Sequence, residues 1–264
     1  MVEHYNHLTL ERSFEDKVAV VTLNRPQVRN ALNAVLIEEL TAVFTALRND
    51  EQLHGVILTG EGKAFCAGAD VHMMQEAITY TEEQNVADAL RLSDMLRTIN
   101  TFPCPVIARI NGDALGGGVG LAAVCDIVIA AESARFAFSE VKLGIAPAVI
   151  SPFAIRKIGE NMARVLFVTG ERFSATRAHE IGLAHSVVPI SHLDDAVARA
   201  ANELVSGAPQ AIRACKALAL QIGQMNKEDT RLYTAETIAR LRVSPEGQEG
   251  LRAFLEKRTP QWLV

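Results

Sequence analysis

Strand patterns and helix patterns alternate along the first two thirds of the chain. β-Branched runs at 8–13 (LTLERS) and 17–23 (KVAVVTL) predict two strands, and Pro26 follows the second. Apolar residues at helical spacing come next, and the pattern then repeats: helix at 33–50, strand at 55–60, helix at 86–100, strand at 105–112. This alternation predicts an α/β fold.

The strand pattern disappears after about residue 190, and helical spacing continues to the end of the chain. We therefore predict a core over residues 1–195 and a helical C-terminal region over residues 196–264. No low-complexity linker separates the two parts.

Charge and composition exclude several classes of function. The net charge is −5, and the basic residues form no patch with interleaved aromatics, so we expect no nucleic-acid partner. No segment approaches the roughly 18 apolar residues of a membrane span, and the first residues lack a signal-peptide pattern. The four cysteines and seven histidines show no metal-site spacing. We expect a cytoplasmic protein without a metal or a membrane partner.

A glycine-rich loop follows the strand at 105–112. Its sequence, INGDALGGGVGLAAVC, puts Leu121 where a dinucleotide fingerprint needs its third glycine, and no Gly-Lys-Ser/Thr follows. Two interpretations remain: a closely packed turn, or a helix start whose free backbone N–H groups face a ligand with negative charge.

A second loop of small residues, GEGKAFCAGAD at 60–70, also follows a strand. Two such loops can bring two N–H groups to one oxygen and form an oxyanion hole, in which each donor lowers the barrier by about 2.7–4 kcal/mol. A thioester carbonyl is the natural candidate for that oxygen.

Three motifs, in order and spacing, resemble the enoyl-CoA hydratase/isomerase (crotonase) superfamily: GKAFCAGAD, INGDALGGGVGLAAVCD and FSEVKLGIAPAVISP. The similarity runs from VTLNRPQVRNAL at 21–32 to FLEKR at 254–258. The resemblance implies a spiral of ββα units, a C-terminal helical trimerisation region that packs between subunits, and a homo-oligomer that is a trimer or a dimer of trimers. It implies an acyl-CoA substrate and no separate cofactor, because coenzyme A is part of the thioester.

The resemblance also assigns site residues. The backbone N–H groups of Ala69 and Gly117 would form the oxyanion hole. The stretch from Ala67 to His72 would line the path of the adenine and pantetheine groups, which also assigns Asp70 and Val71 to substrate binding. Phe254 would lie close to the CoA, and three cations would contact its phosphates unless they are ordinary solvated charges: Arg25, Lys63 and Lys257.

Acid/base chemistry is assigned to Glu140, which lies in FSEVKLG among apolar residues that would raise its pKa. Many hydratases of the superfamily use a second glutamate, and here Gly120 occupies that position. Three activities remain open. The first is hydration of an enoyl-CoA, whose acyl group would be branched or carboxylated as in methylglutaconyl-CoA. The second is Δ3,Δ2-enoyl-CoA isomerisation by one glutamate. The third is CoA binding without turnover.

Overall fold

The computed structural model describes residues 2–263. Its strands are β1 Val2–His4, β2 Leu8–Ser13, β3 Val18–Leu23, β4 Gly55–Gly60, β5 Ala64–Cys66, β6 Val106–Ile110, β7 Asp113–Leu115, β8 Ile127–Ala131, β9 Arg135–Ala137, β10 Arg172–Ser174 and β11 Ser186–Val188. Its α-helices are α1 Ala34–Leu47, α2 Val71–Thr79, α3 Glu82–Asn100, α4 Gly117–Val124, α5 Ser151–Thr169, α6 Ala175–Glu180, α7 Leu193–Ser206, α8 Pro209–Gln221, α9 Lys227–Val243 and α10 Pro245–Glu256.

The strands form two sheets, and from β4 to β9 successive strands along the chain alternate between them. The larger sheet has the order β1-β2-β3-β4-β6-β8-β11 and the smaller one the order β10-β9-β7-β5. From β4 onward, successive strand pairs add one parallel strand to each sheet: β4 and β5, then β6 and β7, then β8 and β9. Helices follow each pair, which makes a spiral of ββα units. The predicted α/β fold class is confirmed.

Local sequence explains the elements around the core. All six residues of β4 are buried, Thr59 among them, which fits its position between the parallel strands β3 and β6. Helix α1 begins at its N-cap Asn33, whose side chain accepts the Leu36 N–H, and it buries one apolar face. Phe44 on that face meets Phe102 edge to face, with ring centroids 5.3 Å apart.

The C-terminal helices divide into two groups. Helix α7 spans the predicted boundary at residues 195/196 and packs Leu193, Ala196 and Val197 against the larger sheet. Helix α7 thus packs on the core, and the division at residues 195/196 stays a prediction. Of their described residues, α9 and α10 each bury only one, Thr237 and Ala253.

Among residues 2–263, no helix combines the length and apolarity that crossing a bilayer requires.

Candidate active site

A cavity of about 340 Å³ lies where the two predicted loops meet. Its wall is mostly apolar and comes from α2, α3, the start of α4 and residues 139–150. The lining residues are Leu32, Ile37, Ala67, Gly68, Ala69, Met73, Met74, Ala89, Leu92, Gly116, Gly117, Ser139, Glu140, Leu143, Ile145, Ala146, Pro147, Ala148, Val149 and Ile150. Within that lining Glu140 is the single ionisable side chain.

Two glycines with positive φ let the loops approach each other. Gly68 has φ +94°, and a methyl group added to it would lie 2.9 Å from the carbonyl oxygen of Leu115. Gly116, just before α4, has φ +48°, and an added methyl group would lie 3.1 Å from Glu140 Oε1. Because side chains rarely adopt these angles and have no room here, both positions require glycine.

The loops leave two backbone N–H groups without partners. The Leu32 N–H donates to the carbonyl of Gly68 (2.7 Å), and the Asp70 N–H donates to the carbonyl of Leu32 (2.8 Å). Ala69 lies between these two bonded residues, and its own N–H takes no part in the pairing. Gly117 is the first residue of α4, where an N–H has no acceptor within the helix. In the described chain, neither the Ala69 nor the Gly117 N–H donates a hydrogen bond to protein. Two free donors at one apolar cavity are an arrangement that can stabilise an oxyanion.

Glu140 lies in the 3-10 turn Ser139–Leu143 and not on a strand. Its Oε2 is buried and has no hydrogen-bond partner among residues 2–263. Burial raises the pKa of this carboxyl above its ordinary value, and a backbone hydrogen bond opposes part of that rise. A carboxyl group in this state is suited to accept and return a proton near neutral pH.

Comparison with known proteins agrees with this geometry. Residues 13–263 match the family described as enoyl-CoA hydratase/isomerase. The chain belongs to the enoyl-CoA hydratase/isomerase family. It is 38% identical over 256 residues to the short-chain-enoyl-CoA hydratase of Clostridium acetobutylicum, which covers 96% of each chain. Two solved structures share its fold: a Legionella pneumophila enoyl-CoA hydratase/isomerase (43% identity, TM-score 0.91, covering 98% of this chain and 100% of that one) and Pseudomonas aeruginosa AtuE (35%, TM-score 0.95, 98% and 100%).

The structure explains how this member of the enoyl-CoA hydratase/isomerase family accommodates glycine at the second-glutamate position. Gly120, which the resemblance also assigns to substrate binding, is buried and does not line the cavity, and that assignment stays a prediction. A methyl group at Gly120 would lie 2.4 Å from Cγ2 of Ile150, and Ile150 itself lines the cavity. The isoleucine therefore fills the space that a longer side chain at Gly120 would need.

Arg25 is not a free cation for a CoA phosphate. It is only 9% exposed, and its Nη1 lies 2.8 Å from Oδ2 of Asp70. Asp70 is likewise buried and caps α2 by accepting the His72 N–H (2.8 Å). Both side chains are therefore occupied by partners within the protein, and their assignment to CoA binding stays a prediction. Val71 and His72 are exposed at the start of α2 and do not line the cavity.

The remaining predicted contacts lie apart from the cavity of this chain. Lys63 is exposed at a separate depression that also contains Arg109 and Asn111. Phe254 is 82% exposed on α10, and Lys257 is the exposed residue that ends this helix. The contact of these three residues with CoA stays a prediction. It requires either that bound CoA extends from the cavity to them or that they contact the CoA of a neighbouring subunit.

Several wall residues escaped the sequence analysis. Met73 and Met74 on α2, Leu92 on α3 and Ile150 form the apolar side of the cavity, and of these only Leu92 lies in a helix predicted from the sequence. In residues 2–263, no cluster of three His, Cys, Asp or Glu side chains could hold a metal ion. Cys66, beside the loop, is fully buried, and burial raises the pKa of its thiol to about 12. It is therefore a neutral packing residue.

Proposed function

We propose that this protein is an enoyl-CoA hydratase that adds water across the 2,3-double bond of a CoA thioester. The observation that carries the proposal is the unpartnered, buried Oε2 of Glu140 in the same cavity as the unbonded N–H groups of Ala69 and Gly117. The name of the Clostridium acetobutylicum relative supports the same reaction.

A single glutamate can balance the reaction. Glu140 takes a proton from water while the oxygen of that water bonds to C3, and the C2–C3 π electrons move to form the thioester enolate. The two N–H groups donate to the enolate oxygen. Glu140 then returns the proton to C2, which restores the carbonyl. Both transfers occur on the face of the substrate that Glu140 occupies.

Δ3,Δ2-Enoyl-CoA isomerisation is the second candidate. It needs one acid/base group that moves a proton between two carbons, and Glu140 is the single ionisable side chain in the described lining. A non-catalytic CoA-binding scaffold is disfavoured, because such a protein would have no need for a buried carboxyl with one unpartnered oxygen and a raised pKa.

For the acyl group we propose a branched chain. Met73, Met74 and Leu92 supply flexible and branched apolar surface, which suits contact with methyl branches. A carboxylated acyl group, as in methylglutaconyl-CoA, would need a cation, and the lining provided by residues 2–263 contains none. That substrate therefore requires a cation from a neighbouring subunit.

We also propose that the protein works as a homo-oligomer, a trimer or a dimer of trimers. The support is three large apolar side chains on the last two helices, Val243, Phe254 and Leu255, each more than three quarters exposed. Such side chains lose this contact with water when another subunit packs on them.

One screen tests the activity and the acyl class. Purified protein is mixed with crotonyl-, 3-methylcrotonyl-, 3-methylglutaconyl- and 3-enoyl-CoA while the absorbance of the conjugated thioester is followed. Hydration removes that absorbance, and isomerisation of a 3-enoyl-CoA creates it. We expect loss with the branched 2-enoyl substrates in wild type and none in Glu140→Gln. Turnover of the 3-enoyl substrate alone would favour the isomerase.

A further inference from the structure

The ion pair between Arg25 and Asp70 lies directly behind the loop that presents the Ala69 N–H. Both residues are buried, with 9% and 4% of their surface exposed. The Arg25 Nη1 that contacts Asp70 also donates to the carbonyl oxygen of Ala31 at 2.5 Å. One guanidinium thus binds two segments, the one that contains Ala31 and the one that contains Ala69.

These two segments are the ones whose pairing leaves the Ala69 N–H free. Ala31 precedes Leu32, which accepts from the N–H of Asp70 and donates to Gly68. Oδ2 of Asp70 meets Arg25, while Oδ1 accepts the His72 N–H at the start of α2. Asp70 is therefore fixed on its backbone and on both carboxylate oxygens, and Ala69 is held between two immobilised neighbours.

Arg25 is itself anchored to the core. Its backbone N–H donates to Oδ1 of Asn30 at 2.9 Å, and Nδ2 of Asn30 donates to the carbonyl of Ala64 at 2.8 Å. Asn30 is fully buried. Burying an ion pair contributes little net stability compared with apolar residues of similar size, so stability alone is a weak reason for this arrangement. A better reason for the buried pair is that it fixes the position of the adjacent Ala69 N–H.

We propose that Arg25 and Asp70 form a positioning pair that holds the Ala69 N–H in the direction of the thioester oxygen. The inference rests on the proposed function. Neither side chain lines the cavity, so the pair acts through the backbone and touches no reacting atom. Displacement of a positioned group by about 1 Å can lower the rate roughly 10²-fold. A less firmly held Ala69 N–H would therefore lower kcat.

Two variants remove the pair in different ways. Asp70→Asn keeps an oxygen to cap α2 and removes the charge, while Arg25→Met removes the guanidinium and keeps much of its length. Arg12→Met is the control, because Arg12 on β2 forms a partly exposed ion pair with Asp50 (2.6 Å) outside the cavity lining. All variants are first compared with wild type by thermal unfolding, and kinetics are measured well below the lowest midpoint.

We expect kcat to fall by about 10- to 100-fold in Asp70→Asn and Arg25→Met, with the Kd for free CoA within about twofold of wild type. Free CoA lacks the acyl carbonyl and does not use the Ala69 N–H. Arg25→Lys retains the charge and should recover part of kcat. Arg12→Met should keep wild-type kcat even if it lowers the melting midpoint.

A spectroscopic measurement separates this inference from the proposed reaction. A 2,4-dienoyl-CoA absorbs at longer wavelength when donors polarise its carbonyl, and Glu140→Gln as the common background prevents turnover. We expect the shift in Glu140→Gln alone and in combination with Arg12→Met, and a much smaller shift with Asp70→Asn or Arg25→Met added.

An undiminished shift and an unchanged kcat in folded Asp70→Asn would overturn the inference and leave the hydratase intact. A shift that depends on the pair, in a protein whose wild type hydrates no enoyl-CoA, would support the inference and overturn the proposed function. A Glu140→Gln protein that shows no shift at all would contradict both.

Discussion

Adding one methyl group at Gly120 tests how this site excludes a second carboxylate. In Gly120→Ala the new carbon would lie 2.4 Å from Cγ2 of Ile150 and 3.0 Å from its Cβ, whereas carbon atoms normally approach to about 3.5–4.0 Å. Ile150 is only 3% exposed and has little room to move. Overpacking of this kind costs about 1–3 kcal/mol, and the better helix propensity of alanine returns about 0.8–1.0 kcal/mol. We expect a net loss of about 0–2 kcal/mol in the free energy of unfolding.

Gly223→Ala is the matched control. A methyl group there meets no heavy atom within 4 Å, so the substitution should cost nothing measurable. Unfolding is followed in urea by circular dichroism at one protein concentration, because assembly makes stability depend on concentration. A double-mutant cycle also needs Ile150→Ala and the double variant of Gly120→Ala with Ile150→Ala. The Cγ2 atom is absent from both.

The clash predicts coupling between the two positions. Gly120→Ala should cost less in the Ile150→Ala background than in wild type, with a coupling free energy of about 1 kcal/mol or more. For the same reason Gly120→Glu should lower activity on a branched substrate and not install a working second carboxylate. An equal cost of Gly120→Ala in the wild-type and Ile150→Ala backgrounds would refute the packing argument.

Three further results are expected. Because burial raises the pKa of Glu140 in the folded state, its carboxylate destabilises the fold, and this penalty is complete above that raised pKa. The penalty shrinks as the pH falls below the raised pKa and vanishes below the ordinary pKa of a glutamate in the unfolded chain. Glu140→Gln should therefore unfold at higher urea concentration than wild type at pH 7, with the difference vanishing in acid; a variant less stable at pH 7 would contradict this. Phe254→Asp on the exposed face of α10 should lower the oligomer mass measured by sedimentation velocity, and a fully active wild-type monomer at nanomolar concentration would count against assembly. Chelators should leave turnover unchanged, and activity that is lost with a chelator and restored by zinc would overturn the metal-free chemistry.

The parts of the fold that depend on local patterns were predictable from the sequence. β-Branched runs identified β2, β3 and β4, and apolar spacing identified α1 and α3, because these signals reflect nearest neighbours along one element. The two loops were identified by residue type, since Gly68 and Gly116 adopt backbone angles that glycine favours. The position of Glu140 came from the motif, and the structure adds that it lies on a 3-10 turn.

Contacts between distant segments were not predictable. Nothing in the sequence distinguishes a solvated arginine from the buried Arg25, whose partner Asp70 lies on another loop. The reason for glycine at position 120 is Ile150, thirty residues away, and only packing reveals it. The packing of α7 on the larger sheet was not predictable for a related reason: helical spacing alone does not show whether a helix packs on a sheet or outside it.

The central claim is that Glu140 moves the proton in both steps while the Ala69 and Gly117 N–H groups hold the thioester oxygen. The most direct test measures kcat of Glu140→Gln on the best substrate of the screen, together with its Kd for the same CoA ester. Glutamine keeps the size of the side chain but cannot accept and return a proton, so kcat should fall by at least about 10²- to 10⁴-fold while the ester still binds. Turnover near the wild-type rate in Glu140→Gln would contradict the single-glutamate mechanism.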